Sequence, residues 1–96
     1  MNRSQLTERL AARAGLSLPE SRRVLQVLFS TVPGEGLIVD ALDRGERVMV
    51  SGFGTFFASE RGERRVIDPR DGTPRVVPSM RVARFRPGLA LRDRLR

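Results

Sequence analysis

The stretch Ile67-Asp68-Pro69-Arg70-Asp71-Gly72-Thr73-Pro74-Arg75-Val76-Val77-Pro78 reads as a β-hairpin that cannot lie inside a compact sheet. Asp71-Gly72 predicts a tight two-residue turn, because both residue types tolerate a positive φ angle. Three prolines flank this turn, and each lacks the backbone N–H that a central strand would donate. A two-stranded ribbon without a core is marginal by itself. The stretch therefore predicts an arm that projects outward and becomes ordered against a partner.

The charge of the chain indicates what kind of partner that is. The 96 residues carry 18 cations, all of them arginine, against 11 carboxylates, for a net charge of +7 and a pI of about 11.7. Residues 1–47 hold seven arginines and six acids, whereas residues 48–96 hold eleven arginines and five acids. A GC-rich genome would explain arginine in place of lysine, but not this excess. A solvated basic face is the alternative, yet the segregation favours a polyanion, with DNA as the first candidate.

Several functional classes are disfavoured by composition. The chain has no cysteine and no histidine, which excludes disulfides, thiolate or imidazole metal ligands and the commonest general base. Its carboxylates are scattered among arginines, so no acid–base pair is indicated. No apolar run approaches the roughly 18 residues of a membrane span, and no signal peptide is evident. We expect no enzyme activity, no metal, no cofactor and no membrane contact, and a location in the cytoplasm or nucleoid.

The N-terminal half predicts a helical hairpin. Ser4 suits the N-cap of a first helix that ends at Gly15. Ser17-Leu18-Pro19-Glu20 is a capping box that starts a second helix. This helix has one apolar stripe, formed by Val24, Leu25, Leu28, Phe29 and Val32. Pro33-Gly34-Glu35-Gly36 predicts a break, after which helical spacing resumes through Leu42.

The C-terminal half predicts strands and a last helix. Val48-Met49-Val50 and the segment after Gly54 are strand-like, and the chain returns to the sheet over Met80 to Phe85. A final helix follows Pro87-Gly88, with Leu91 and Leu95 on its buried side. Four phenylalanines are expected in the core rather than as base-stacking platforms: Phe53, Phe56, Phe57 and Phe85. About 75 residues outside the arm make a small core, which favours completion by a second copy of the chain.

These features resemble the HU and integration host factor family of bacterial histone-like DNA-bending proteins, over nearly the whole chain. The most specific segments are Gly52-Phe53-Gly54-Thr55-Phe56, the arm tip Asp68-Pro69 to Gly72, and Phe85-Arg86-Pro87-Gly88. The resemblance implies an α+β fold in an intertwined dimer, with a three-stranded antiparallel sheet and a protruding β-ribbon arm. The domain of residues 1–96 would divide into a helical dimerisation body (1–45), a sheet (46–60 and 78–86), a DNA-binding arm (61–77) and a C-terminal helix (87–96).

The resemblance also implies a site for double-stranded DNA. The arms of the family embrace the minor groove, and a proline near each tip wedges between base pairs; Pro69 holds that position, although an ordinary turn proline is the plainer interpretation. Matching arm cations are Arg61, Arg64 and Arg65, and matching cations of the sheet saddle are Arg81 and Arg86. Further DNA-binding candidates, from their placement, are Arg70, Arg75 and Arg84.

Three departures from the family pattern are visible. Ile67 and Asp68 stand where the family usually has arginine and asparagine, so the loss of a cation and the gain of an anion beside DNA should weaken arm binding or alter how the tip enters the groove. About six residues around Pro33–Gly36 look inserted into a helix that is continuous in the family. Leu89 replaces a customary cation.

The sequence thus predicts an architectural protein that bends and compacts DNA with little sequence specificity. One alternative is a dimeric interaction module of the same fold with weakened bending. Another is one subunit of a site-preferring heterodimer, since the sequence does not decide between a homodimer and a heterodimer. A basic RNA-binding accessory protein is disfavoured, because no stacking aromatic residue lies on the arm.

Overall fold

A computed structural model describes residues 1–96 and confirms the α+β fold with a β-ribbon arm. Two compact units are present, Met1–Arg44 and Gly45–Arg96. The elements of the first unit are α1 (Arg3–Ala14), α2 (Leu18–Phe29) and α3 (Leu37–Asp43). Those of the second unit are β1 (Val48–Val50), β2 (Gly54–Arg61), β3 (Arg64–Ile67), β4 (Pro74–Val77), β5 (Met80–Pro87) and α4 (Leu89–Arg94). None of these helices has the length and apolar character needed to cross a bilayer.

Side-chain caps fix the ends of the first two helices. The N-cap of α1 is Asn2 rather than the predicted Ser4: the Asn2 carboxamide accepts from the Gln5 N–H at 2.9 Å, and the Gln5 side chain accepts from the Asn2 N–H at 3.0 Å. This reciprocal pair lets the helix begin two residues earlier than serine would. Gly15 ends α1 with a φ angle of 69°, and Ser17 and Glu20 form the predicted capping box of α2.

The helical unit has a very small core. The Ser21 hydroxyl, fully buried, donates to the Thr7 carbonyl oxygen at 2.7 Å and ties α2 to α1. The buried apolar side chains are Ala11, Leu25 and Ala41. The predicted apolar stripe of α2 is only partly covered, since Phe29 is 45% exposed and Val32 is 56% exposed. One copy of the chain therefore leaves much of its apolar helical surface in water.

The predicted break between α2 and α3 is a well-defined loop. The Glu35 carboxylate accepts from the Ser30 hydroxyl at 2.9 Å and from the Gln26 carboxamide. The Ser30 oxygen in turn accepts from the Val32 N–H at 3.1 Å. Gly36 is packed so closely that a Cβ atom there would overlap the Ser30 carbonyl oxygen. Glycine is required at this position because any side chain would displace the loop.

The body sheet and the arm are separate antiparallel sheets that share one register. The body sheet has the strand order β1-β2-β5, and β3 and β4 make a separate two-stranded sheet. The last body pair is Arg61 with Met80, and the first arm pair is Arg64 with Val77. Two residues lie between these pairs on each strand, so the register passes into the arm without a slip. Pro78 lies in this gap, where its missing N–H breaks the ladder.

The connection at the arm tip differs from the predicted two-residue turn. β3 ends at Ile67 and β4 begins at Pro74, so six residues form the tip. The Asp68 N–H donates to the Thr73 carbonyl oxygen at 2.9 Å, and the Gly72 N–H donates to the Asp68 carbonyl oxygen at 2.8 Å. Gly72 alone at the tip has a positive φ angle, of 71°. A tight turn with positive φ at both Asp71 and Gly72 does not form, because Pro69 and the Asp68 side chain start a wider turn earlier.

The last helix is shorter and more exposed than predicted. α4 covers Leu89–Arg94 and follows Gly88 without a side-chain cap. Leu91 is half-buried, but Leu95 lies beyond the helix and is 78% exposed. The prediction that Leu95 belongs to the buried side is therefore wrong for a single copy of the chain, because the short helix ends before it can turn this residue inward.

Candidate nucleic-acid interface

The two faces of the body sheet carry different chemistry. In an antiparallel pair, residues directly opposite share a face and neighbours along a strand alternate between faces. Phe56 is opposite Phe85, and their ring centroids lie 4.8 Å apart. The ring of Phe53 lies 5.6 Å from that of Phe85. These three rings make an aromatic cluster, but Phe53 is 49% exposed and Phe85 38% exposed, so the prediction that they are core residues is wrong for a single copy of the chain.

Phe57 lies on the opposite face and does not join this cluster. The guanidinium carbon of Arg86 lies 5.2 Å from the centroid of the Phe57 ring, and that of Arg47 lies 5.8 Å from it. Both distances are within the range of cation–π attraction. The prediction that Phe57 packs with the other core phenylalanines is wrong, because strand alternation places adjacent residues 56 and 57 on opposite faces. Phe57 instead supports two arginine side chains.

Arg84 completes this basic surface. It is directly opposite Phe57, and its Nε–H donates to the Ser59 hydroxyl at 2.9 Å. We call the surface formed by Arg47, Phe57, Arg84 and Arg86 the arginine face. Arg84 and Arg86 were predicted from the sequence, whereas Arg47 was missed. Arg47 could be assigned only from the register of β1, in which Val48 pairs with Phe56, so that Arg47 comes next to Phe57.

Arg81 is separated from the arginine face by strand alternation. It pairs with Glu60 at the end of the body sheet, three residues before Arg84 on the same strand. An odd spacing along a strand places the two residues on opposite faces. The saddle cations that the resemblance implied, Arg81 and Arg86, are thus divided between the two faces of the sheet.

The arm cations are exposed and lie on both faces of the ribbon. Arg61 ends β2, and Arg64 and Arg65 begin β3, so the three lie at the base of the arm. Arg65 shares a face with Ile67, which is opposite Pro74. Arg64 shares the other face with Arg75, which is opposite Val66. Such a ribbon can present cations to both walls of a groove that it enters.

Pro69 is exposed at the end of the arm, and Asp68 beside it is buried. One Asp68 carboxylate oxygen accepts from the Arg70 N–H at 2.9 Å, and the other lies 2.9 Å from an Arg75 guanidinium nitrogen. The Arg70 Nε lies 3.6 Å from the first oxygen, but its side chain remains 84% exposed. The anion that departs from the family pattern is therefore paired within the arm tip. Asp68 is only 7% exposed.

A second carboxylate at the tip is held by one neighbour. The Asp71 carboxylate accepts from the Thr73 hydroxyl at 2.6 Å and from the Thr73 N–H at 2.9 Å. These hydrogen bonds, that from the side chain first, lower the pKa of Asp71 below its usual value. Asp71 is exposed and keeps its charge at neutral pH, so the tip carries two carboxylates beside Arg70 and Arg75.

Comparison with known proteins gives matches over the whole chain. A family model described as "Bacterial DNA-binding protein" matches residues 1–96. The chain is 35% identical to DNA-binding protein HU-beta of Neisseria meningitidis over 95 residues, which cover 99% of this chain and all of that protein. It is 36% identical to HU-beta of Salmonella typhimurium over 93 residues, 97% of each chain.

Solved structures show the same fold. A cocrystal structure of Anabaena HU with DNA has a TM-score of 0.85 and 27% identity, and the match covers 99% of this chain and 97% of that one. A mutant of HU from Thermotoga maritima has a TM-score of 0.69 and 26% identity, with complete coverage of both chains.

Proposed function

Since this chain belongs to the family of bacterial DNA-binding proteins represented by HU, we propose that it is a dimeric architectural protein of the nucleoid. It binds double-stranded DNA through the minor groove and the phosphate backbone, bends it and compacts it with little sequence specificity. The activity is binding alone and involves no catalysis. Residues 1–45 form the dimerisation body in this proposal, and residues 61–77 form the DNA-binding arm.

The observation that carries the proposal is the ribbon that leads in one register from the arginine face to an exposed proline. The base of the arm carries exposed Arg61, Arg64 and Arg65, and the register brings them into line with the body sheet. A two-stranded ribbon of this kind has no core of its own, so its ordering is best explained by contact with a partner. Cations along its length suit phosphates on both sides of a groove.

The arm tip has the chemistry of a wedge. Pro69 is exposed, and Ile67, two residues before it, is 72% exposed and lies opposite Pro74. Minor-groove proteins insert apolar residues, including isoleucine and proline, between base pairs to kink the duplex. Unstacking a base step costs a few kcal/mol, which is offset by the additional phosphate contacts that a bent duplex allows. Ile67, where the family usually has arginine, thus adds apolar surface to the tip.

The arginine face supplies the electrostatic part of binding. Arg47 and Arg86 lie over Phe57, and Arg84 is held by Ser59. Guanidinium groups that are already positioned lose less conformational freedom when they bind phosphate. We assign Arg47 to the DNA-binding surface together with Arg61, Arg64, Arg65, Arg70, Arg84 and Arg86. Arg81, on the other face at the base of the arm, reaches only DNA that wraps around the sheet.

A second copy of the chain is proposed because the apolar surface is incomplete. Phe29 and Leu37 in the helical unit are 45% and 61% exposed, and Phe53 and Leu89 in the second unit are 49% and 71% exposed. Exposed apolar area of this kind is typical of protein–protein interfaces. Obligate dimers bury such apolar surfaces in interfaces that resemble the core of a single domain. A homodimer is the simplest arrangement, and a heterodimer remains its alternative.

A gel-shift titration on linear, nicked and pre-bent duplexes over a salt series, with the molecular mass measured in parallel, tests this function. We expect a dimer that binds all three duplexes, prefers those that are easily bent, and loses affinity steeply with salt. Equal and salt-insensitive binding would instead favour the interaction module with weakened bending. A strong preference for selected over random DNA would favour the site-preferring subunit.

A further inference from the structure

Asp68 connects every part of the arm tip. Its backbone N–H donates to Thr73, its carbonyl oxygen accepts from Gly72, and its carboxylate accepts from Arg70 and contacts Arg75. All four partners follow Pro69 along the chain, so these contacts close a loop that contains the proline. Asp68 is 7% exposed, in an arm whose other residues are almost all exposed.

We propose that Asp68 is a positioning residue that folds the arm tip around Pro69 before DNA is bound, and that Arg75 serves as its counter-ion rather than as a phosphate ligand. The inference rests on the proposed function only where it concerns DNA bending. The folding of the arm tip by Asp68 concerns the free protein and can be tested without DNA.

The geometry of the two strands supports the pairing of Asp68 with Arg75. Val66 is opposite Arg75, and Asp68 lies two residues after Val66, just beyond the end of β3, so the two charged side chains come together diagonally across the ribbon. An ion pair with a nitrogen–oxygen distance of 2.9 Å at this position links the two sides of the ribbon where the regular ladder ends. The hydrogen bond from the Arg70 N–H to the Asp68 carboxylate closes an Asx turn, in which an aspartate side chain accepts from the backbone two residues later.

In this proposal the two arginines of the tip have different roles. The Arg75 guanidinium lies 2.9 Å from Asp68 and its side chain is 60% exposed, whereas the Arg70 Nε lies 3.6 Å from Asp68 and its side chain is 84% exposed. A preordered tip loses less conformational entropy on binding, so Pro69 can act as a rigid wedge. Simple electrostatics makes the opposite prediction, because removal of an anion near DNA should strengthen binding and leave bending unchanged.

Asp71 provides a charge-matched control. It lies three residues from Asp68, and its carboxylate contacts Thr73 and neither Arg70 nor Arg75. Asp68→Ala and Asp71→Ala in the full chain therefore remove the same charge from the same tip, but only the first removes the carboxylate contacts with Arg70 and Arg75. The backbone bonds of residue 68 to Thr73 and Gly72 can form in both variants. Asp68→Asn is the conservative variant, since its amide oxygen can still accept from the Arg70 N–H while the ion pair is lost.

The first measurement is amide hydrogen exchange of the free protein by NMR. We expect the Gly72 and Arg70 amides to exchange at least tenfold faster in Asp68→Ala than in the parent, with Asp71→Ala close to the parent at both. Asp68→Asn should lie between them. Equal exchange rates in Asp68→Ala and Asp71→Ala would overturn the proposal, whether or not the protein binds DNA.

The second measurement is energy transfer across an end-labelled duplex at saturating protein. We expect Asp68→Ala to lose at least half of the bend while its affinity changes by less than about threefold, and Asp71→Ala to keep the full bend. If both variants bend fully and bind more tightly at low salt, the electrostatic alternative is correct and the proposal fails. If the parent itself does not bend DNA, the proposed function fails, and the exchange experiment still decides the role of Asp68.

Discussion

The guanidinium of Arg86 lies over the ring of Phe57, 5.2 Å from its centroid, on the face of the sheet opposite the aromatic cluster. An aromatic ring in this position serves as a platform that aligns cations. It explains how a large apolar side chain fits beside three arginines on this face of the sheet. The arrangement leads to the first of five predictions.

Phe57→Leu should weaken DNA binding roughly fivefold, because one exposed cation–π contact contributes about 0.5–1 kcal/mol and the ring supports two arginines. Titration of a labelled duplex measures the change. Phe56→Leu is the matched control: it alters the adjacent residue on the other face and should lower the melting temperature with little effect on affinity. Equal affinities for the parent and Phe57→Leu would show that the ring does not align Arg47 and Arg86.

The salt dependence of binding should report the number of phosphates contacted. If about six are neutralised per complex, log affinity should fall against log salt with a slope of about −5. Arg47→Gln should reduce the slope by about one for each copy of this side chain that contacts DNA, and weaken binding uniformly across sequences. Arg9→Gln, which removes the same charge from an exposed position of α1, should leave the slope unchanged. A flat salt response of the parent would contradict the electrostatic account.

The stability of the helical unit should depend on acid through Glu20. The pKa of Glu20 is lowered by hydrogen bonds from the Ser17 backbone and, secondly, from the Ser17 side chain. A carboxyl whose pKa is lower in the folded state stabilises the fold above its unfolded pKa, near 4.5, and this contribution is lost as pH falls through the folded value. The melting temperature should therefore fall with acidification from about pH 5.

Glu20→Gln separates this carboxyl from the others. Its amide can still accept from the Ser17 N–H, but it does not titrate, so the part of the acid dependence caused by Glu20 should disappear. Parallel melting curves of the parent and Glu20→Gln over a series of acidic to neutral buffers measure this contribution, which cannot exceed one proton of linkage. Identical pH profiles would show that the capping carboxylate has the same pKa in the unfolded chain.

Dimerisation should be detectable in the molecular mass and in the melting temperature. Light scattering at micromolar protein should give twice the chain mass of 10.7 kDa. The melting temperature should rise with protein concentration, because association stabilises the folded chain by mass action. Phe29→Asp should reduce both effects, since it places a charge on the exposed stripe of α2. A stable monomer with a concentration-independent melting temperature would contradict this part of the account.

Local signals in the sequence predicted much of the fold. Gly15, the capping box from Ser17 to Glu20 and the break at Pro33–Gly36 each depend on a few adjacent residues, and the structure has all of them. The cap at Asn2 was missed because asparagine and serine are both good caps, and only the reciprocal bond with Gln5 decides between them.

Features that depend on register were harder to predict. Phe57 was assigned to the core from its residue type, whereas strand alternation places it beneath Arg47 and Arg86. The surroundings of Asp68 could not be predicted for a similar reason: its charge is visible in the sequence, but the contact with Arg75 exists only once the two strands pair in this register. The Asp71-Gly72 turn signal located the tip correctly and its length incorrectly.

We propose that the arm bends DNA by wedging Pro69 between base pairs. Pro69→Ala keeps every charge, so long-range attraction and most phosphate contacts should survive, while the rigid apolar ring is lost. Bending should therefore fall more than binding. Energy transfer across a short end-labelled duplex, recorded during a titration, reports the bend and the affinity together. The account predicts a clearly smaller bend at saturation for Pro69→Ala, with affinity within about tenfold of the parent. Equal bending by both proteins would show that the arm is not a wedge.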